Sequence, residues 1–161
     1  MSAQREHLRC CGGASHPGAS ANYGLESMKK LFSEHHPPLA RKAEIFLNTA
    51  KLVDKIDGGS NDFEEATYYL LSQAVELSIK ALVKIETGQT PPRTHDKQEL
   101  AERYREVCRF SDDEMDTITR LKQLNNGPGG LRYDNQPIGQ FSPKIFKHGI
   151  KIVERLLEKF E

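Results

Sequence analysis

DFEEATYYLLSQAVELSIKALVKIETG, residues 62–88, is the stretch whose reading decides the fold. Phe63, Ala66, Leu70, Ala74, Leu77 and Ala81 recur at intervals of three and four residues, and so do Leu71, Val75, Ile79 and Leu82. That spacing places each set on one side of an α-helix. A helix with two apolar stripes must bury both, so it belongs at the centre of a domain or between a core and a partner surface. Asp62 with Glu65 three residues on has the form of a capping box. Gly88 is a natural stop, because glycine readily takes the left-handed conformation that ends a helix.

The flanking sequence supplies the helices that would cover it. Upstream, Pro37-Pro38 suits a first turn. Leu39, Ala43, Phe46, Ala50 and Val53 then mark one stripe that ends before Gly58-Gly59. Downstream, Thr90-Pro91-Pro92-Arg93 reads as a linker. A third helix follows, capped by Thr94 or Asp96, with Leu100, Tyr104 and Val107 inward. Ser111-Asp112-Asp113-Glu114 is a second capping box and opens a fourth helix with Met115, Ile118, Leu121 and Leu124 inward. Asn125 to Gly130 breaks the chain, and Leu131 to Phe141 reads as a loop. Ser142-Pro143 starts a fifth helix, with Phe146, Ile150, Val153, Leu157 and Phe160 on its buried side. No segment alternates as a strand does. The expected fold is all-α, an antiparallel up-and-down bundle of four to five helices.

With 161 residues, one domain is expected. Residues 1–27 are rich in Gly, Ala and Ser, lack helical periodicity and read as a disordered tail, leaving 28–161 as the folded domain. Met28-Lys-Lys-Leu-Phe resembles a protein start, so the tail reads as a start-site misassignment or a cloning remnant; the mass of the native protein tests which methionine begins it. Lys+Arg and Asp+Glu both total 23, so any charged partner must be met by a local patch. No apolar run approaches a membrane span, and no signal-peptide core precedes the domain. Cys10, Cys11 and Cys108 give neither a disulfide framework nor a zinc pattern. A cytoplasmic protein without metal or cofactor is the expectation, and His35-His36 lacks a nearby third ligand.

Tyr68 to Leu100 resembles the core of HEPN domains (higher eukaryotes and prokaryotes nucleotide-binding). Gln73, Ala74, Glu76, Lys80, Ala81 and Leu82 match the long helix of that family. Gly88, Pro91, Thr94, His95 and Asp96 match the linker and the start of the next helix. Leu131-Arg132-Tyr133-Asp134 looks like the family's Arg-Tyr-Pro segment before the last helix. The resemblance covers roughly residues 38–160. It implies a helical bundle that is usually a homodimer. It also implies either a ribonuclease or an inactive or nucleotide-binding relative, often beside a minimal nucleotidyltransferase in a toxin–antitoxin or defence pair.

The ribonuclease members use an arginine followed closely by a histidine near the last helix. Cleavage of RNA needs a group titrating near neutrality and a cation for the developing phosphate charge. Arg132 takes the arginine place, but Pro137, Ile138 and Gly139 stand where the histidine should be. Arg9 and His16 fit the spacing only within the tail. The reading is therefore a non-catalytic module engaging nucleotide, RNA or a nucleotidyltransferase partner. A divergent metal-independent ribonuclease using Arg132 with His148 or His95 is the alternative, and a structural helical dimer the third.

The candidate ligand-binding residues are Arg132, Tyr133, Glu76, Lys80 and His95. Arg132 would grip phosphate and Tyr133 stack on a base, or Tyr133 packs the loop while Arg132 meets a carboxylate. His95 would help hold an anion at the third helix's N-terminus, or it serves capping and linker packing. Tyr69, Gln73, Glu76 and Lys80 form a polar seam, either a cleft or a solvated face with an (i, i+4) ion pair. Lys144, His148, Lys151 and Arg155 recur on one side of the last helix, either a small nucleic-acid face or a solvated one. The glycine-rich Asn125–Gly130 lacks the Lys-Ser/Thr of a phosphate cradle.

Overall fold

The computed structural model describes residues 37–57, 63–126 and 142–160, and every regular element among them is helical. These are α1 (Pro38–Asp57), α2 (Glu64–Thr87), α3 (Lys97–Arg103), α4 (Arg105–Cys108), α5 (Asp112–Asn126) and α6 (Pro143–Leu157), the last running into a 3₁₀ turn, Glu158–Phe160. No helix among the described residues is long and apolar enough to cross a membrane. The tail 1–27, His35-His36, Asp62, the Gly127–Gly130 break and the whole Leu131–Phe141 segment, with Arg132, Tyr133 and Asp134, lie outside the described residues.

Helix α2 is central, as its two stripes require. It packs on α1, α3, α4, α5 and α6. Leu71, Ala74, Val75, Ile79, Ala81, Leu82 and Val83 are all buried. The four long helices alternate in direction. Lys51 pairs with Glu154, while Asp57 at the end of α1 lies near Pro143 at the start of α6, so the two helices run oppositely. Thr117 meets His148 and Glu114 meets Arg155, so α5 and α6 do too. Tyr68 donates to the Ser142 carbonyl at 2.5 Å and stacks tilted on Phe146, which places the starts of α2 and α6 together. Gly149 lets those two helices approach closely: a Cβ there would lie 2.8 Å from Leu71 Cδ2.

Several sequence expectations shift by a residue or an element. On α1 the buried row is Ala40, Ala43, Leu47 and Ala50, while Leu39 and Phe46 are only partly buried and Val53 stands between core and solvent. Phe63, not Asp62, occupies the cap position of α2 without a side-chain cap bond, and half of its surface is exposed. The Asp57 carboxylate instead accepts from the Phe63 N–H at 3.3 Å. The third helix is interrupted at Tyr104, whose φ of −113° and ψ of 24° leave the helical region, and Arg109 then takes a left-handed turn at φ 52°. That turn carries Cys108 and Phe110 into the core, two residues outside the apolar stripes.

Other local signals hold in detail. Gly88 ends α2 at φ 67°. The Ser111 hydroxyl accepts from Glu114 N, and Glu114 Oε2 accepts from Ser111 N at 2.9 Å, a complete capping box. Pro143 occupies the first turn of α6, but Ser142 makes no side-chain cap bond there.

Candidate functional site

The polar seam of α2 does not face solvent. Glu76 is only 2% exposed, among the leucines and alanines of the core helix. A carboxylate in that position needs compensation, because desolvation penalises the isolated charge heavily. Lys80, one turn on, donates from Nζ to Glu76 Oε1 at 2.9 Å. It also donates to the Thr94 carbonyl at 2.6 Å. His95 brings Nδ1 to 3.0 Å from the same Glu76 oxygen. Three of the five candidate ligand-binding residues thus meet in one corner, where the linker after α2 is pinned back onto that helix. Glu76 Oε2 is buried and has no hydrogen-bond partner among the described residues.

The anion site expected at the start of α3 is already taken. Asp96 is the cap, and its Oδ1 accepts from the N–H groups of Gln98 and Glu99 at 3.0 and 3.1 Å. Partial burial raises its pKa. The Lys122 ammonium at 2.7 Å and these two N–H groups outweigh that and hold the carboxyl below its ordinary value. The Thr94 hydroxyl accepts from Asp96 N and donates to Glu99. With its own carboxylate in place, this helix end does not invite a second anion, so the phosphate reading of His95 loses its footing. What remains is a carboxylate–imidazole contact. It fixes one ring nitrogen of a side chain that is 72% exposed.

His148 stands in a different setting. Its Nδ1 lies 3.1 Å from Thr117 Oγ1, which donates to the Asp113 carbonyl. Together with Arg120, Ser142 and Lys144 these residues line a cleft of about 190 Å³ between α5 and the start of α6. Asp113 and Asp116 line it too, and Asp116 pairs with Arg120 at 2.9 Å. Lys144, Lys147 and Lys151 continue outward along α6, exposed and without an ion pair among the described residues. His95 and His148 share no cavity among those described.

Arg155 does not join that lysine row. Its Nε donates to Glu114 Oε1 at 2.9 Å, its Nη1 to the Cys108 carbonyl at 3.0 Å, and its guanidinium lies over the Phe110 ring. It ties α6 to the turn between α4 and α5. The sequence groups it with the lysines by helical period alone; its partners arrive only with the fold. Burial pushes the Cys108 thiol up to about 12, so it is a core side chain and not a nucleophile. No group of three or more potential metal ligands occurs among the described residues.

A second cavity, about 360 Å³, lies between α1, α2 and α6 and is lined by Asp54, Asp57, Glu64, Tyr68, Phe146 and Lys147, with Thr67, Pro143 and Ile150. Burial and then the Glu64 charge push the Tyr68 hydroxyl up to about 12.

Residues 36–161 match the family model described as the HEPN domain. No match was found among curated proteins or among solved structures.

Proposed function

Because the chain belongs to the HEPN domain family over residues 36–161, we propose that it is a non-catalytic binding module for a nucleotide or RNA, engaged in the cleft between α5 and α6. The observation that carries this is the cleft's lining. Lys144 and His148 supply a cationic and a protonatable group at the first turn of α6, whose N–H groups have no side-chain cap; Arg120 faces them across the cleft, paired with Asp116, and Asp113 completes the lining. Such an arrangement suits phosphate oxygens. Arg132 and Tyr133, ten and nine residues before Ser142 in the chain, are proposed as further contacts to phosphate and base.

The chemistry for cleavage is less well supplied. Arg132 has no histidine at the expected distance, and Glu76, Lys80 and His95 are committed to one another. Titration of the full chain with ATP, GTP and a short RNA should give saturable binding for at least one, weakened by Arg132→Ala and by Lys144→Ala. The RNA should be recovered intact. A homodimer, and a nucleotidyltransferase partner in a toxin–antitoxin or defence pair, complete the proposal. Light scattering at the monomer mass would remove the dimer.

A divergent ribonuclease using Arg132 with His148 or His95 is the second reading. It draws on the Glu76–His95 contact, since a carboxylate that fixes one imidazole nitrogen leaves the other free to move a proton. Metal-independent cleavage that disappears in His95→Ala or His148→Ala would establish it in place of the first.

A further inference from the structure

The outward face of α1 carries a feature that the phosphate cleft does not use. Five large apolar side chains are exposed among the described residues, and three of them, Ile45, Leu52 and Ile56, belong to α1. They are seven and eleven residues apart, about two and three helical turns, so they stand in one row. Their exposures are 38%, 54% and 68%. Scattered apolar side chains on a surface need no explanation, whereas an aligned row marks a contact face.

Three of the four charges that border the row are basic. Arg41 and Lys42 flank Ile45, and Lys55 flanks Leu52 and Ile56 on the helical wheel; all three are exposed and none has an ion pair among the described residues. Of the carboxylates of α1, only Glu44 borders the row, on the Lys55 side. Asp54 and Asp57 turn to the cavity beside Tyr68, and Glu44, at the margin, already has a partner. Lys51, off the row, pairs with Glu154.

This charge pattern selects among occupants. A second copy laid on the same face would bring Arg41 and Lys42 against Lys55 in an antiparallel pairing, or against themselves in a parallel one. Cations outnumber the single Glu44 carboxylate either way, which disfavours self-association through this row. An oppositely charged helix satisfies both parts at once. Its apolar side chains would cover the Ile45–Leu52–Ile56 row, and carboxylates on its flanks would meet the three cations. We infer that the outward face of α1 is a docking surface for an acidic amphipathic helix of another protein, with Ile45, Leu52 and Ile56 as the apolar seam and Arg41, Lys42 and Lys55 as its charged rim.

The probe is a synthetic amphipathic helix with leucines three and four residues apart and glutamates on both flanks, paired with a control bearing lysines at the same positions. Fluorescence anisotropy against the full chain should show saturable binding of the glutamate peptide, at least about tenfold tighter than the control. The double variant L52D/I56D should lose about tenfold or more in affinity, with an unchanged circular-dichroism melt because both side chains are exposed. The triple variant R41E/K42E/K55E should reverse the preference toward the lysine peptide. Equal binding of the two peptides, or indifference to either variant, overturns the inference. So does a dimer of the chain alone that dissociates in L52D/I56D, which assigns the face to a second copy. Binding of phosphatidylserine vesicles without the peptide assigns it to a lipid surface instead.

Discussion

His95 and His148 are both held by a single contact through Nδ1, yet the two corners around them differ in kind. His95 lies on the outside of a buried ionic knot, against a carboxylate that is 2% exposed and a lysine that is itself largely covered. His148 lies against the Thr117 hydroxyl in an open cleft with Arg120 and Lys144. In the first corner the charges face one another, and their work is to fold the linker back onto α2. In the second, Arg120 is paired with Asp116, but Lys144 has no ion pair among the described residues and the cleft is open. Residue type alone does not distinguish a site from a strut; what distinguishes them is whether the polar groups are already spent on each other.

The largest test of that contrast is Glu76→Ala. It leaves Lys80 covered without a carboxylate partner and removes the His95 tie, while the Lys80 bond to the Thr94 carbonyl remains, so the domain should lose about 3 kcal/mol of stability. The urea midpoint measures it. A loss below about 0.5 kcal/mol would be that of an ordinary surface pair and would break the contrast.

The alkaline limb of the stability curve tests how firmly the start of α6, and with it the cleft, is pinned. The Tyr68 hydroxyl is raised from 10.0 to about 12 in the folded chain, by burial first and then by Glu64. Its contribution is fully present below pH 10, where the phenol is neutral folded or unfolded. It is lost as pH rises toward 12, because the unfolded chain ionises first; the fall should be about 2 kcal/mol. Tyr68→Phe should flatten that fall while costing about 1 kcal/mol at neutral pH through the lost bond to the Ser142 carbonyl. A slope unchanged in this variant would mean that another group titrates.

A pair of histidine variants sharpens the contrast directly. His148→Ala should weaken nucleotide or RNA binding about tenfold, near 1.4 kcal/mol, with little change in the melt. His95→Ala should leave that affinity within about twofold and lower stability by about 1 kcal/mol, the worth of one ordinary hydrogen bond, because the His95 side chain is largely exposed. The reverse outcome would move the binding site to the Glu76 corner.

Asp96 carries the smallest effects. Asp96→Ala removes the α3 cap and should cost about 1 kcal/mol. The wild-type carboxyl is held low by Lys122 and the N–H groups of Glu99 and Gln98, against the opposing effect of partial burial. Its contribution is therefore present above the ordinary carboxylate value and lost as pH falls through the lowered one. Asp96→Asn should remove that part of the acid limb, as an acid titration followed by circular dichroism would show.

The helices could be read because their causes are local. Periodicity placed α2, α5 and α6, the Ser111–Glu114 box needed only neighbours in the chain, and Gly88 had only to turn left-handed. Elements whose position depends on distant partners were read less well. The α1 stripe missed Leu47, because which side of a weakly patterned helix is buried depends on where α2 lies. Tyr104 gave no glycine or proline to mark the break. Arg155 joined the lysines by period, but left them for Glu114 and the Cys108 carbonyl once α5 was in place. Of the candidate site, the sequence named Glu76, Lys80, His95 and His148. Thr117 and Arg120, which complete the cleft, had no signal beyond ordinary positions on an amphipathic helix.

The sequence by itself determined that the domain has an all-α fold, that α2 is the central helix and that Arg132 lacks a histidine at the motif spacing, because helical period, glycine stops and residue identity are properties of the chain alone. Tertiary structure decided that Glu76 is buried, that Asp96 fills the α3 terminus and that His148 opens on a cleft while His95 closes a corner. Those are questions of which charges meet, and charges far apart in sequence meet only after the helices have packed.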